Sequence, residues 1–324
     1  MVGRPWISVL LPTYQGAALL PRALASIAGQ ADAASIEVVA VDDGSTDGTL
    51  EILNAWQDRL HLQIITVPHN GNWVANTNRA LQRARGEWIS WLHQDDAWLP
   101  GRVARLHALT LQYPEVDLFL HPAEFRDMND RRLGYWRAPL SPGRPLGRVD
   151  VWPKLVRQNT VPIVAPLVKR EKCAETGPMD EDLWYFADWD YWLRLAMTAT
   201  WYYHPEPLAL FRIHHGSQTV KRTHSLEEIG RQFDTVTGRA LAAYPMPGRT
   251  ASRWRRRVAF ARAAYQCMLA GFHGAPGTLG AFIRAALRVG PIEWWRYTQA
   301  AALRDRVGPR VRLWVTREVF RAED

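Results

Sequence analysis

IEVVAVDDGSTDGT, residues 36–49, is the stretch whose reading decides the fold. Its centre, VVAV at 38–41, is an unbroken apolar run of the kind found in a strand covered on both faces. Asp42 and Asp43 end that strand, Gly44 and Gly48 permit a tight turn, and Ser45, Thr46 or Asp47 is expected to cap the helix TLEILNAW. An ordinary strand-turn-helix junction uses one Asp, so the second is in surplus. A carboxylate at the carboxyl end of such a strand can accept hydrogen bonds from a nucleobase N–H or from ribose hydroxyls.

The same rhythm continues on both sides. ISVLLPTY (7–14) precedes a helical repeat of Leu20, Leu24 and Ile27, and LQIITVPHN (62–70) precedes VANTNRALQRA and the strand EWISWLHQ. Short apolar strands alternating with helices predict βαβ units and a mainly parallel sheet flanked by helices. The polar segments PTYQ, DDGSTDGT, HNGN and HQDD all fall at carboxyl ends, the edge where ligands bind in open α/β sheets.

Beyond residue 112 the alternation fades. VDLFLHPAEF reads as a further strand, 126–150 as a Pro, Gly and Arg-rich loop region, VWPKLVRQN and DWDYWLRLAMT as helices, and TWYYHPEPLALFRIH as extended. From about 225 the pattern is helical, with stops and restarts at HGAPG and two VGP triplets.

Composition narrows the classes. The chain has 324 residues, 47% of them hydrophobic, enough for a large core. Cys173 and Cys267 lie far apart, which supports neither a disulfide framework nor a thiolate metal site and fits a reducing cytoplasm. No signal peptide and no apolar stretch of spanning length is expected. Residues 251–324 carry 14 Arg against 5 acidic residues, while the first 250 are nearly neutral. Two readings stand for this basic, Trp-rich region, which includes Trp254, Trp294, Trp295 and Trp314: peripheral contact with an anionic membrane, or a helical cap packed on the rest. No nucleic-acid recognition motif accompanies the basic charge, so nucleic acid is not an expected partner. A Gly-rich dinucleotide turn after the first strand and a P-loop are both absent from the sequence.

ISVLLPTYQGAALLPRALASIAGQ, IEVVAVDDGSTDGT, ARGEWISWLHQDDAWLPGRV, ADWDYWLR and LFRIHHGS, taken in this order, resemble the family 2 glycosyltransferases. The resemblance runs over about residues 7–217 and implies a GT-A fold over 1–220 with a helical C-terminal region at 221–324. It implies an inverting, hexosyltransferase-type enzyme that takes its sugar from a nucleoside diphosphate donor, expected to be UDP-linked. The implied acceptor is a hydroxyl of a glycan or of a lipid-linked oligosaccharide, as in polysaccharide or cell-envelope synthesis at the inner face of the membrane.

Residue by residue, the resemblance implies that Pro12, Thr13 and Tyr14 line the base pocket and that Asp43, with Asp42 beside it, holds the base. HQDD matches the metal-binding region for Mg²⁺ or Mn²⁺. Asp95 takes the place of the family's second Asp and is expected to carry the direct coordination, whereas His93 stands where the first would be and is expected to touch ribose or phosphate instead, since imidazole suits softer metals. Asp96 either contacts the donor sugar or caps the helix near Leu99. Asn78 falls on the family's common Asn at the donor sugar, whereas Asn72, Asn76 and Thr77 depart from the pattern and are read as sugar contacts or local caps. Arg212 is expected at the diphosphate, and His214 at the diphosphate or the metal. Asp188, with Asp190 as runner-up, matches the general base that deprotonates the acceptor among Trp184, Trp189 and Trp192. A noncatalytic sugar-nucleotide or glycan-binding assembly factor is the alternative, and His93 is the feature in its favour.

Overall fold

The computed structural model describes residues 4–31, 33–214, 225–273, 278–302, 305 and 308. In chain order the strands are β1 Ile7–Thr13, β2 Ile36–Asp42, β3 His61–Thr66, β4 Trp88–Trp91, β5 Ala97–Trp98, β6 Leu118–Leu120, β7 Ala123–Arg126, β8 Arg132–Trp136, β9 Pro145–Leu146, β10 Leu167–Lys169, β11 Trp201–Tyr203 and β12 Ala209–Arg212. The helices are α1 Leu20–Ala28, α2 Thr49–Ala55, α3 Trp73–Arg83, α4 Arg102–Gln112, α5 Arg148–Leu155, α6 Arg170–Thr176, α7 Ala187–Thr198, α8 Leu226–Ala243, α9 Gly248–His273, α10 Leu279–Val289 and α11 Pro291–Ala300.

An eight-stranded sheet runs β3-β2-β1-β4-β10-β6-β11-β9. Its first four strands are parallel, with Thr13 level with Asp42 and Asp42 level with Thr66, so their carboxyl ends form one edge. Every residue of β1 and β2 is buried, as central strands with helices on both faces require. Side chains alternate: Ile7, Val9 and Leu11 join the core beneath α1 and α4, while Leu10 joins the core of α3, α7 and the C-terminal helices. Pro12 shares the side of Leu10, whose carbonyl receives the Leu92 N–H at 3.0 Å, so its missing donor faces the region past the last β1–β4 pair.

The single strand expected at VDLFLHPAEF is two: β6 in the large sheet and β7 in a second, four-stranded sheet, β5-β12-β7-β8. Pro122, between them, cannot donate to either ladder. The segment expected as loop at 126–150 contains β8, which pairs antiparallel with β7 across a turn in which Asp127 accepts the Asn129 and Arg131 N–H groups at 3.0 and 2.9 Å. At α2, Gly48 with φ 88° occupies the cap position and Asp47 accepts the Thr49 N–H at 3.2 Å.

Helices α8–α11 continue the α3–α7 core through Ile229, Phe233, Val258, Phe260, Tyr265 and Tyr297. Trp254 packs edge-on against Trp152, with ring centroids 5.3 Å apart, and Trp294 and Trp295 stay exposed. Trp314 lies outside the described residues.

Candidate active site

The flush strand ends deliver their polar residues to one edge, where two clusters form. In the first, Asp42 is spent on its own turn: its carboxylate accepts from Thr13 Oγ1 at 3.2 Å, Ser45 N at 3.0 Å and Ser45 Oγ at 2.6 Å. Asp43 points to the loop after β3, and its carboxylate accepts from Asn70 N at 3.0 Å and Gly71 N at 2.9 Å, while His69 Nδ1 bonds the Asp43 carbonyl at 3.2 Å and lies 3.0 Å from Oδ2. A carboxylate has about four acceptor positions, so these two backbone donors leave acceptor capacity for a ligand donor. The Tyr14 ring lies on that of His69, centroids 4.2 Å apart and planes 18° apart, forming an exposed flat platform beside Asp43.

The second cluster is the HQDD turn. Gln94 clamps it to the end of β1, accepting the Tyr14 N–H and donating to the Tyr14 carbonyl, both at 2.8 Å. A Cβ on Gly16 would sit 2.3 Å from Gln94 Oε1, so the clamp requires glycine there. His93, Asp95 and Asp96 each bring a donor atom within 4.8 Å of the others. His93 Nε2 and Asp96 Oδ2 are both buried with no hydrogen-bond partner among the described residues. Asp96 Oδ1 accepts the Arg212 N–H at 3.0 Å, and Asp95 Oδ2 meets His214 Nε2 at 3.0 Å.

The neighbouring carboxylates are driven apart. Burial raises the cost of charge on both, but the hydrogen bond from His214 and the nearby His93 hold Asp95 below the usual carboxylate range. Burial, with the Asp95 charge behind it, pushes Asp96 well above that range. Burial also lowers the His93 pKa, favouring the neutral imidazole with a free nitrogen. Buried, unpartnered N and O atoms around one point fit a divalent cation, whose charge would repay the desolvation of both carboxylates.

Arg212 does not lie open toward the crevice. Only 2% exposed, it donates through Nε to the Asp95 carbonyl at 3.1 Å and through Nη1 to the Asp127 carbonyl at 2.7 Å, and it pairs with Asp130 at 2.7 Å. It braces the HQDD turn from behind. Asn78, expected at the donor sugar, is also buried: its side chain donates to Met179 O and Glu181 Oε1 and accepts the Met179 N–H, all at 2.9 Å. Asn72 caps α3 by accepting the Val74 and Ala75 N–H groups at 3.0 and 3.2 Å. Asn76 accepts from Asn70 and Arg79, and Thr77 Oγ1 donates to the Trp73 carbonyl.

These bonds tie α3 to the segment that leads into α7. Trp73 links the two sides: its Nε1 donates to the Trp184 carbonyl at 2.8 Å, and its ring meets His93 edge-on at 5.2 Å. Asp188 stands in the first turn of α7, half-buried, and accepts from Asn159 Nδ2 at 2.8 Å and Trp189 N at 2.7 Å. Asp190 is committed elsewhere, to Arg194 at 2.8 Å and Arg239 at 3.7 Å.

His69 and Asn159 carry no role in the sequence reading. HNGN at a carboxyl end marks His69 as a site residue, but its stacking on Tyr14 has no local signature. Asn159 meets Asp188 across 29 residues.

The family model for glycosyl transferase family 2 matches residues 8–156. The chain is 25% identical over 228 residues to an uncharacterized glycosyltransferase of Rickettsia typhi, covering 69% of each. It is 30% identical over 192 residues to a PGL/p-HBAD biosynthesis glycosyltransferase of Mycobacterium bovis, covering 59% of this chain and 69% of that one. Among solved structures, S. aureus TarS 1-349 in complex with UDP-GlcNAc matches with a TM-score of 0.68 and 16% identity, over 98% of this chain and 93% of that 1-349 chain. The Pyrobaculum calidifontis mannosyltransferase PcManGT, in complex with GDP-Man and Mn²⁺, matches with a TM-score of 0.57 and 19% identity, over 96% and 87% of the two chains. With its mixed sheet and flanking helices in the GT-A arrangement, the chain belongs to glycosyl transferase family 2 and is a glycosyltransferase.

Proposed function

We propose that the protein transfers a sugar, with inversion, from a UDP-linked donor to a hydroxyl of a glycan or lipid-linked acceptor, with Asp188 as the general base. The observation that carries this reading is the shared carboxyl edge, where the Tyr14–His69 platform and the spare acceptor of Asp43 lie beside the His93, Asp95 and Asp96 cluster. A uracil needs a flat face and an acceptor for its N3–H. Support also comes from the UDP-GlcNAc named for the TarS complex. This reading puts the enzyme on the cytoplasmic side of the membrane; among the described residues no helix is long and apolar enough to cross one.

His93, Asp95 and Asp96 would hold a divalent cation, with His214 fixing the Asp95 carboxylate. The cation would supply positive charge to the leaving diphosphate. Carboxylates accept Mg²⁺ and Mn²⁺ alike, and the imidazole tilts the set toward Mn²⁺, the ion named with PcManGT. Asp188, oriented by Asn159, would take the proton from the attacking hydroxyl as the sugar moves.

The test is UDP release from UDP-sugars in the presence of saccharide and lipid-linked acceptors, comparing wild type with Asp188→Asn. Turnover should collapse while UDP affinity holds; equal turnover would remove Asp188 from the role.

A further inference from the structure

Helix α10 has more apolar surface than the core uses. Phe282, Ala285, Ala286 and Val289 turn inward, and Phe282 stacks on Phe260 of α9 with centroids 5.8 Å apart. Leu279, Ile283 and Leu287 recur every four residues and form a second stripe that is exposed at 61, 47 and 73%. Past the turn at Gly290, α11 adds Ile292, Trp294 and Trp295, exposed at 67, 40 and 65%. The two helices are tied by Trp294 Nε1, which donates to the Ala286 carbonyl at 2.7 Å. These two joined helices carry six of the ten large hydrophobic residues exposed among the described residues, more than scattered exposure explains.

The charge around them has one sign. Arg284 and Arg288 directly follow Ile283 and Leu287, border the stripe, and make no ion pair with any described residue. The one acidic residue of the two helices, Glu293, is turned inward to Arg257 at 2.6 Å and Arg157 at 3.8 Å. Helix α9, on which α10 packs, has six Arg and no acidic residue.

We infer that the α10–α11 pair is a docking face for an anionic lipid surface. The apolar stripe and the two Trp would enter the headgroup boundary, with Arg284 and Arg288 against the lipid phosphates. Charge selects this occupant. A second copy would bring the same excess of Arg to the contact, and residues 309–324, with Arg310, Arg312, Arg317 and Arg321 against three acids, are themselves net positive. Lipid contact at this face goes beyond the donor chemistry and does not depend on it.

The experiment is co-sedimentation of the full chain with vesicles of phosphatidylcholine alone or mixed with phosphatidylglycerol, at low and high salt. Binding should require phosphatidylglycerol and weaken with salt. Leu287→Glu with Trp295→Glu should reduce it by about tenfold or more. Arg284→Glu and Arg288→Glu should each reduce it at least about fivefold. All four side chains are exposed, so UDP affinity and thermal stability should hold and report intact folding. Equal binding to neutral and anionic vesicles, or no binding to either, would overturn the inference. So would concentration-dependent self-association lost in the same variants, which would assign the face to a second copy.

Discussion

Glu37 lies near the amino end of β2 and Asp96 past the carboxyl end of β4, and both side chains are almost fully enclosed. Their surroundings differ in kind. Glu37 accepts from the Arg85 N–H at 2.6 Å, Arg85 Nε at 3.1 Å, the Gly86 N–H at 3.1 Å and the Ser8 hydroxyl. Burial opposes its charge, but these donors and the Arg85 guanidinium together hold its pKa below the ordinary 4.5. Asp96 has a single backbone donor on one oxygen and none on the other, and its pKa is driven up. A buried carboxylate with its acceptors filled knits the strands together; one left with an orphaned oxygen is prepared for a ligand. The difference separates the structural end of the sheet from the chemical end.

Substitutions at the two ends should therefore fail differently. The largest effect is expected at Asp188: Asp188→Asn should cut turnover by about 10²–10⁴-fold, since that is the worth of general-base catalysis, with the melting temperature unchanged. At the amino end the loss should be stability. Glu37→Gln should cost about 2–4 kcal/mol in denaturant unfolding, because it removes an ion pair and presents an amide to groups that need an acceptor. Its pH dependence has a definite sign. A lowered pKa contributes stability above pH 4.5, so the gap between wild type and Glu37→Gln should be full at neutral pH and close as pH falls through the lowered folded value. A gap that persisted in acid would contradict the charge-based account.

Smaller effects sharpen the contrast. Asp95→Ala should weaken Mn²⁺ affinity by about 10–100-fold in calorimetric titration, with little change in unfolding. Asp96→Asn should leave metal-free protein within about 1 kcal/mol of wild type, or more stable, because it relieves a buried charge that the fold does not satisfy. Strong destabilisation by Asp96→Asn would make Asp96 structural like Glu37 and erase the comparison.

The chemical end was the more legible from sequence. Apolar runs ending in PTYQ, DDGSTDGT, HNGN and HQDD announce both strands and ligand edge, because βαβ units connect neighbours through short local segments. Long-range pairings were hidden. The three-residue strand β10 enters antiparallel between β4 and β6, and nothing in LVK marks it. Asn78 reads as a donor contact until Met179 and Glu181, more than 100 residues away, take its hydrogen bonds. Arg212 reads as a phosphate ligand until the second sheet brings it under the HQDD turn. In each case the side chain's chemistry was visible but its partner was not, and the partner sets the role. The C-terminal helices show the same limit: one apolar content serves two faces of α10, and only packing distinguishes them.

The central claim, that the orphaned donors at the carboxyl edge bind a nucleoside diphosphate through a divalent cation, is tested most directly by calorimetric titration. UDP, GDP and dTDP would each be added to wild type and Asp95→Ala, with Mn²⁺ and with chelator. The account predicts that UDP binds wild type at least about tenfold more tightly with Mn²⁺ and that Asp95→Ala abolishes the difference. Equal UDP affinity with and without the metal, or binding of none of the three nucleotides, would contradict it.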